Sequence, residues 1–195
     1  MTLLRGDLLD NAAFIARRKP LETEAIANAA ARRVRLGAHL TFLFENRVSV
    51  RWQVQEMCRV ENIVAPAAVQ HELDTYNALL PSLSPDGSAE LSATLLIEYR
   101  DEAERDLALR ALVGLQSHVF LRVAGVDHPA RLDGEQYNAD RVSAVQFVRF
   151  PIRAEAWRAF TTLAGPVALV CTHPAHAAEV ALGAAFRGAI LEDLG

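Results

Sequence analysis

The sequence predicts an α+β fold, in which a mostly antiparallel sheet packs against several helices. In the first half of the chain, apolar residues recur mainly at helical spacing. In the second half, runs of alternating apolar residues are separated by shorter helical segments. A chain of 195 residues with 51% hydrophobic content can bury a substantial core. We therefore predict a single domain over residues 1–195, with no internal repeat.

The first half is predicted to begin with two helices, over residues 2–18 and 21–36, separated by Pro20. Gly37 suits the left-handed conformation that often ends a helix. Residues 39–44 form an apolar run and are predicted to be a strand. Pro66 is suited to the first turn of a helix over residues 66–80, which Pro81 would end.

The segment that follows residue 44 has two interpretations. Its residues alternate between apolar and polar, as in a half-buried strand, yet Val50, Val54, Met57 and Cys58 also form a helical stripe. We favour a helix over residues 46–62 because Asn46 is a good N-cap. A strand that forms a hairpin with residues 39–44 is the alternative.

The second half is predicted to contain most of the strands. Residues 82–89 form the only loop of linker character. Leu91, Ala93, Leu95, Ile97 and Tyr99 would share one face of a strand, and an acidic capping box would begin a helix at Asp101. The remaining predicted strands cover residues 118–124, 130–133, 141–150 and 166–172, and the predicted helices cover residues 101–114, 152–163 and 174–186.

Composition limits the classes of function. The net charge is mildly negative, with 24 acids and 20 bases, so nucleic acid and membrane surfaces are not expected partners. Two distant cysteines form no disulfide framework, and the N-terminus does not resemble a signal peptide. We expect a cytoplasmic protein without a cofactor. Motifs for a catalytic nucleophile or a phosphate-binding loop are missing.

Polar side chains concentrate on the two central predicted helices. They either satisfy one another in a buried network, with Arg32, Arg47 or Arg51 pairing with Glu61, or they line a pocket for a small polar ligand. In an enzyme, Glu56, Glu61 or Glu72 would act as general base and Arg59 would bind an anion. The candidate ligand-binding residues are Arg47, Gln55, Glu56, Arg59, Glu61, Glu72, Tyr76 and Asn77.

A metal site has weaker support. Cys171, His173 and His176 lie close together in the sequence, and Glu179 would follow His176 by one turn of the predicted helix. Their spacing matches no established ligand motif, and a zinc site gathers three or four ligands. The Glu-x-x-His pairs of a di-iron helical bundle are also missing.

Several motifs together resemble a bacterial family of unknown function. They are Arg32-Arg-Val-Arg-Leu-Gly37, Thr41-Phe-Leu-Phe-Glu-Asn-Arg47, Gln53-Val-Gln-Glu-Met57, Glu72-Leu-Asp-Thr-Tyr-Asn77, Ala93-Thr-Leu-Leu-Ile-Glu98 and Ser143-Ala-Val-Gln-Phe147. The family is the domain-of-unknown-function family 3501, and the resemblance covers essentially the whole chain. It implies a cytoplasmic protein whose gene lies near genes for rubrerythrin-type and iron–sulfur redox proteins. It supplies no activity and no catalytic residues.

We therefore expect a non-catalytic accessory or small-ligand-binding protein in a redox or iron-linked pathway. Rubrerythrin-type or iron–sulfur proteins are the expected partners, and a homodimer is left open. The alternative is the enzyme with a Glu/Arg pocket.

Overall fold

The computed structural model describes residues 2–132, 137–138 and 140–194. Its fold is α+β, as predicted. The helices are α1 (Asn11–Ala30), α2 (Arg47–Val60), α3 (Pro66–Asn77), α4 (Glu102–Ala111), α5 (Ala154–Thr161) and α6 (Ala184–Leu194). The strands are β1 (Arg33–Leu36), β2 (Leu40–Phe44), β3 (Ser82–Leu83), β4 (Ala89–Ile97), β5 (Val119–Val123), β6 (Val126–Pro129), β7 (Arg131–Leu132), β8 (Tyr137–Asn138), β9 (Arg141–Val142), β10 (Val145–Ile152), β11 (Val167–His173) and β12 (His176–Ala181).

The strands form two larger antiparallel sheets and one small hairpin. The first sheet has the order β1-β2-β4-β10-β7, and β3 also pairs with β4. The second sheet has the order β12-β11-β5-β6, while β8 pairs with β9.

The first sheet is covered on both faces. One face of β4 and β10, which includes Leu95 and Phe150, joins the larger hydrophobic cluster together with the second sheet and helices α4, α5 and α6. Phe147 projects from the opposite face of β10 and packs against the smaller cluster formed by the N-terminal segment, α2 and α3. Within the described residues, no helix combines the length and apolar character that crossing a bilayer requires.

Several local predictions are confirmed. Residues 47–60 are helical, so the hairpin alternative is wrong, and the Asn46 side chain caps α2 by accepting a hydrogen bond from the Ser49 amide. Pro66 lies in the first turn of α3. Asp101 caps α4 by accepting from the Glu104 amide.

The prediction for residues 2–36 is wrong at both ends. Residues 2–9 form one 3₁₀ turn, Arg5–Asp7, and otherwise no helix, while α1 continues through Pro20. Pro20 is exposed, and a long surface helix tolerates the loss of one backbone hydrogen bond there. Residues 33–36 form a strand whose partner is β2. Gly37, at φ 68°, therefore lies in the turn of a hairpin instead of ending a helix.

The alanine-rich segment after Pro174 is also not the predicted helix. It forms β12, which pairs with β11 across a two-residue turn between His173 and His176, and α6 begins only at Ala184. Helix propensity was overridden by pairing with the edge of the second sheet, which is a non-local interaction.

The linker-like loop and the 130–133 strand are also revised. Residues 82–83 form β3, which pairs with β4 in a hairpin. The first two residues of the predicted loop therefore belong to the first sheet. Residues 131–132 form β7, and position 133 lies outside the described residues. Strand β6, directly before β7, was missed.

Candidate functional site

Three of the predicted ligand-binding residues hold the N-terminal segment against α2 and α3. The Asn77 amide accepts a hydrogen bond from the Leu3 amide and donates one to the Leu3 carbonyl, at 2.8 and 2.9 Å. Gln55 makes the same pair of bonds with Leu9, at 2.7 and 3.1 Å. Arg47 donates to the Thr2 carbonyl and forms an ion pair with Asp7 at 2.6 Å. These side chains satisfy an irregular backbone segment, which is a structural role.

Glu56 and Arg59 do lie together, but a second arginine joins them. Glu56 forms ion pairs with Arg18 of α1 at 2.7 Å and with Arg59 at 2.8 Å. Burial alone would raise the pKa of Glu56, but the hydrogen bonds from Arg59 and Arg18 lower it below its ordinary value. The carboxylate is therefore neutralised, and it joins α1 to α2.

The other predicted residues do not converge on this pair. Glu61 is exposed at the end of α2, so the predicted buried partner for it is wrong. The three arginines proposed for that role pair elsewhere: Arg32 with Asp193, Arg47 with Asp7, and Arg51 with Glu24.

Glu72 and Tyr76 lie half-buried on α3, beside the smaller hydrophobic cluster. Burial raises the pKa of Tyr76, and the Glu72 carboxylate adds to this effect. Burial likewise raises the pKa of Cys58, again with a contribution from Glu72. Both groups are consequently neutral at pH 7.

The most unusual carboxylate is Glu45, the last residue before the N-cap of α2. It is only 1% exposed and accepts three hydrogen bonds from uncharged donors. These donors are the hydroxyls of Ser49 and Thr94, each at 2.5 Å, and the side-chain amide of Gln53, at 2.9 Å. Among the described residues no cation pairs with it. A buried charge without a counter-ion is costly, so its hydrogen bonds have to hold it in place.

A buried ion pair lies next to Glu45. Arg32, 5% exposed, binds both carboxylate oxygens of Asp193, at 2.7 and 2.8 Å, and donates to the Asn28 and Ala189 carbonyls. Asn46 donates to the same Asp193 carboxylate at 2.8 Å. This network connects the end of α1, the start of α2 and the end of α6.

A groove of about 670 Å³ opens directly above Ser49 and Gln53, between α1, α2 and the β1–β2 hairpin. Most of its surface is apolar, and it includes Ile26, which is 66% exposed. The residues that line it are Glu22, Ala25, Ile26, Ala29, Ala30, Arg33, Arg35, Leu43, Ser49, Trp52 and Gln53.

The polar groups of the groove have fixed orientations. Because the Gln53 amide nitrogen donates to Glu45, its carbonyl oxygen points away from that carboxylate, and it accepts no hydrogen bond from the residues described. Arg33 and Arg35 project from the exposed face of β1. Arg35 donates to the Ala38 carbonyl, and neither arginine has an acidic partner in the described part of the chain. The groove thus offers the oriented Gln53 carbonyl and two cationic groups around an apolar surface. Glu22, which also lines the groove, forms an ion pair with Arg18.

The residues considered for a metal are used differently. The His173 ring contacts the Val113 carbonyl through Nε2 and accepts from the Ala175 amide through Nδ1, whereas His176 Nε2 contacts the Leu36 carbonyl at 2.8 Å. Cys171 is buried, and burial raises the pKa of its thiol. Across residues 2–132, 137–138 and 140–194, no three potential ligands are grouped for a metal. The histidines join backbone segments instead.

Sequence reasoning missed Glu45, Ser49, Gln53, Arg33 and Arg35 as site residues. A signal existed for Glu45, because it lies between an apolar strand and a helix N-cap, and a carboxylate at such a position is expected near the core. The sequence held no comparable signal for Arg33 and Arg35, because residues 21–36 were predicted to form a helix.

The fold and the groove define an α+β protein with a small-molecule-sized groove above a buried polar network. A family model described as "Protein of unknown function (DUF3501)" matches residues 2–194, and the chain belongs to this family. A crystal structure of a protein of unknown function from Burkholderia pseudomallei K96243 is similar over 100% of both chains, with 35% identity and a TM-score of 0.87. A comparison with curated proteins finds no match.

Proposed function

We propose that the protein is a non-catalytic binding protein for a small amphipathic anion, which occupies the groove between α1, α2 and the β1–β2 hairpin. The observation that carries the proposal is an apolar groove with an oriented acceptor, the Gln53 carbonyl, and two arginines, Arg33 and Arg35, which have no acidic partner among the described residues. Small-molecule sites are mostly apolar, with a few fixed polar groups that give specificity. The ligand class is an apolar body with an anionic group and one N–H or O–H donor.

Binding has more support than catalysis. Of the three general bases considered for the enzyme alternative, Glu56, Glu61 and Glu72, none lines the groove, and Glu56 is paired with two arginines. Glu45 has no cationic partner among the described residues, but it does not line the groove itself; Ser49 and Gln53, which bond to it, do. A general base has to come within hydrogen-bond reach of the substrate proton. In the proposed function, Glu45 instead orients Gln53.

The probe that fits this chemistry is 8-anilinonaphthalene-1-sulfonate, which has an aromatic body, a sulfonate and one N–H group. Calorimetry should show saturable binding of one molecule per chain. Replacing Arg33 and Arg35 together with Met should weaken binding by at least about tenfold, which corresponds to about 1.4 kcal/mol. Arg158→Met is the matched control, because Arg158 is also exposed and does not line the groove. Equal affinity in the double variant and in the control would reject the groove as the binding site.

The orientation of Gln53 can be tested separately. 8-Phenoxynaphthalene-1-sulfonate has an ether oxygen in place of the N–H group, so it should bind more weakly, by about 1 kcal/mol for one hydrogen bond. Glu45→Gln gives the Gln53 amide a neighbour with both a donor and an acceptor, so either orientation becomes possible. We expect this variant to bind the two probes with similar affinity. An unchanged preference would show that Glu45 does not position Gln53.

The cytoplasmic location and the place in a redox or iron-linked pathway rest on the family resemblance. We propose rubrerythrin-type or iron–sulfur redox proteins as partners. Purification of the tagged protein from its own cells should enrich such proteins in the soluble fraction, and light scattering would distinguish a monomer from a homodimer. Enrichment of unrelated proteins alone would contradict the proposed redox partners. It would not affect the groove proposal, which the probe-binding experiment tests separately.

A further inference from the structure

A second cleft lies where β4 begins, β10 ends and β6 runs alongside, and no residue lines both this cleft and the groove. Its volume is about 570 Å³. It is lined mainly by polar residues, unlike the groove. They are Ser84, Asp86, Ser88, Glu90, Asp127, His128, Arg131 and Arg153, together with Ala89, Val126, Pro129, Pro151 and Ile152.

The acidic residues of this cleft are already engaged. Asp127 forms two hydrogen bonds with Arg122, at 2.6 and 3.0 Å, and this pairing lowers the pKa of Asp127. Glu90 pairs with Arg149 at 3.3 Å. Asp86 accepts from the amide and hydroxyl of Ser88.

The basic residues of the cleft differ from the acidic ones. Arg131 and Arg153 have no acidic partner within the described residues. Arg131 also lies directly opposite Arg149 in the β7–β10 pairing. Like charges in this arrangement repel each other, and the Glu90 carboxylate pairs with Arg149. A bound anion would relieve this repulsion.

His128 provides an independent observation. This residue lines the cleft and is only 6% exposed, and its Nε2 atom is buried without any hydrogen-bond partner in the described structure. An unsatisfied buried polar atom costs about 1–3 kcal/mol. Burial lowers the pKa of His128, and nearby Arg153 lowers it further, so the ring is neutral at pH 7. A neutral ring can donate one hydrogen bond to a ligand oxygen.

We propose that this cleft binds a phosphate monoester with a small polar body. The phosphate oxygens would contact Arg131 and Arg153, and the Ser84 hydroxyl would face the polar body. A rotation of the His128 ring would bring Nε2, which lacks a partner, to the ligand. Arginine is well suited to phosphate because its planar guanidinium can form paired hydrogen bonds with two oxygens. This site is separate from the groove and does not depend on the proposed function.

The experiment follows the histidine ring signals by NMR while glycerol 3-phosphate is added at millimolar concentrations. His128→Gln assigns the His128 signal. We expect a saturable shift of this signal with glycerol 3-phosphate, a weaker response with inorganic phosphate, and none with glycerol. A stronger response to inorganic phosphate would overturn the monoester assignment.

The arginine variants locate the site. Arg131 and Arg153 are exposed, so their joint replacement with Met should leave the fold intact and weaken binding by at least tenfold, or about 1.4 kcal/mol. Arg158→Met is the control, because Arg158 is exposed and does not line the cleft, and it should not change the response. No His128 shift in the unmodified protein, or an unchanged affinity in the double variant, would overturn the proposal.

Discussion

Replacing Arg32 with Met should lower the free energy of unfolding by about 3–5 kcal/mol, because it leaves the Asp193 carboxylate without its cation. The two side chains are only 6% and 11% exposed, so water cannot replace the lost partner. Arg32 also satisfies the Asn28 and Ala189 carbonyls, which would lose their bonds. For a chain of this size, such a loss lowers the melting temperature by roughly 6–20 °C.

Arg59→Met is the matched comparison. Glu56 keeps its ion pair with Arg18, and the Glu56 side chain is 20% exposed. Partly exposed pairs contribute about 1 kcal/mol or less, so we expect a melting temperature within about 4 °C of the unmodified protein. Both variants can be measured by thermal unfolding and by urea titration monitored by circular dichroism. Equal losses in the two variants, or a larger loss for Arg59→Met, would refute the assignment of Arg32–Asp193 as the dominant ion pair.

Three further predictions concern single contacts. Asn77→Ala should lower the free energy of unfolding by about 1–2 kcal/mol and speed hydrogen exchange at the Leu3 amide, because both hydrogen bonds to Leu3 are lost. Unchanged exchange would contradict this. Arg187→Met should lower the free energy of unfolding, measured with urea, by about 1–3 kcal/mol, because Arg187 donates to carbonyls at the end of α5, including that of Phe160. A stabilised variant would mean that burying the guanidinium costs more than these bonds contribute. The pKa of His128 is lower in the folded state than in the unfolded chain, so its contribution to stability is present above about pH 6.5 and is lost as the pH falls through the folded value. Unfolding free energies at pH 7 and pH 5 should therefore differ less in His128→Gln than in the unmodified protein, and an equal difference would contradict this.

The sequence by itself determined the fold class and those elements whose signals are local. Asn46, Pro66 and Asp101 mark helix starts because capping and first-turn preferences act within a few residues. The alternating apolar face of β4 was readable for the same reason, since a strand that has one face in the core repeats every two residues.

Only the tertiary structure decided which local preference prevailed in two of the misassigned segments. Residues 33–36 and 176–181 are short, and each is a strand because a neighbouring strand pairs with it. Such pairing is non-local and can override helix propensity. The candidate site depended on this outcome, because Arg33 and Arg35 reach the groove only from a strand. Glu45 was visible in the sequence, but its three uncharged partners come from α2 and β4, and only the packing of helix on sheet brings them together.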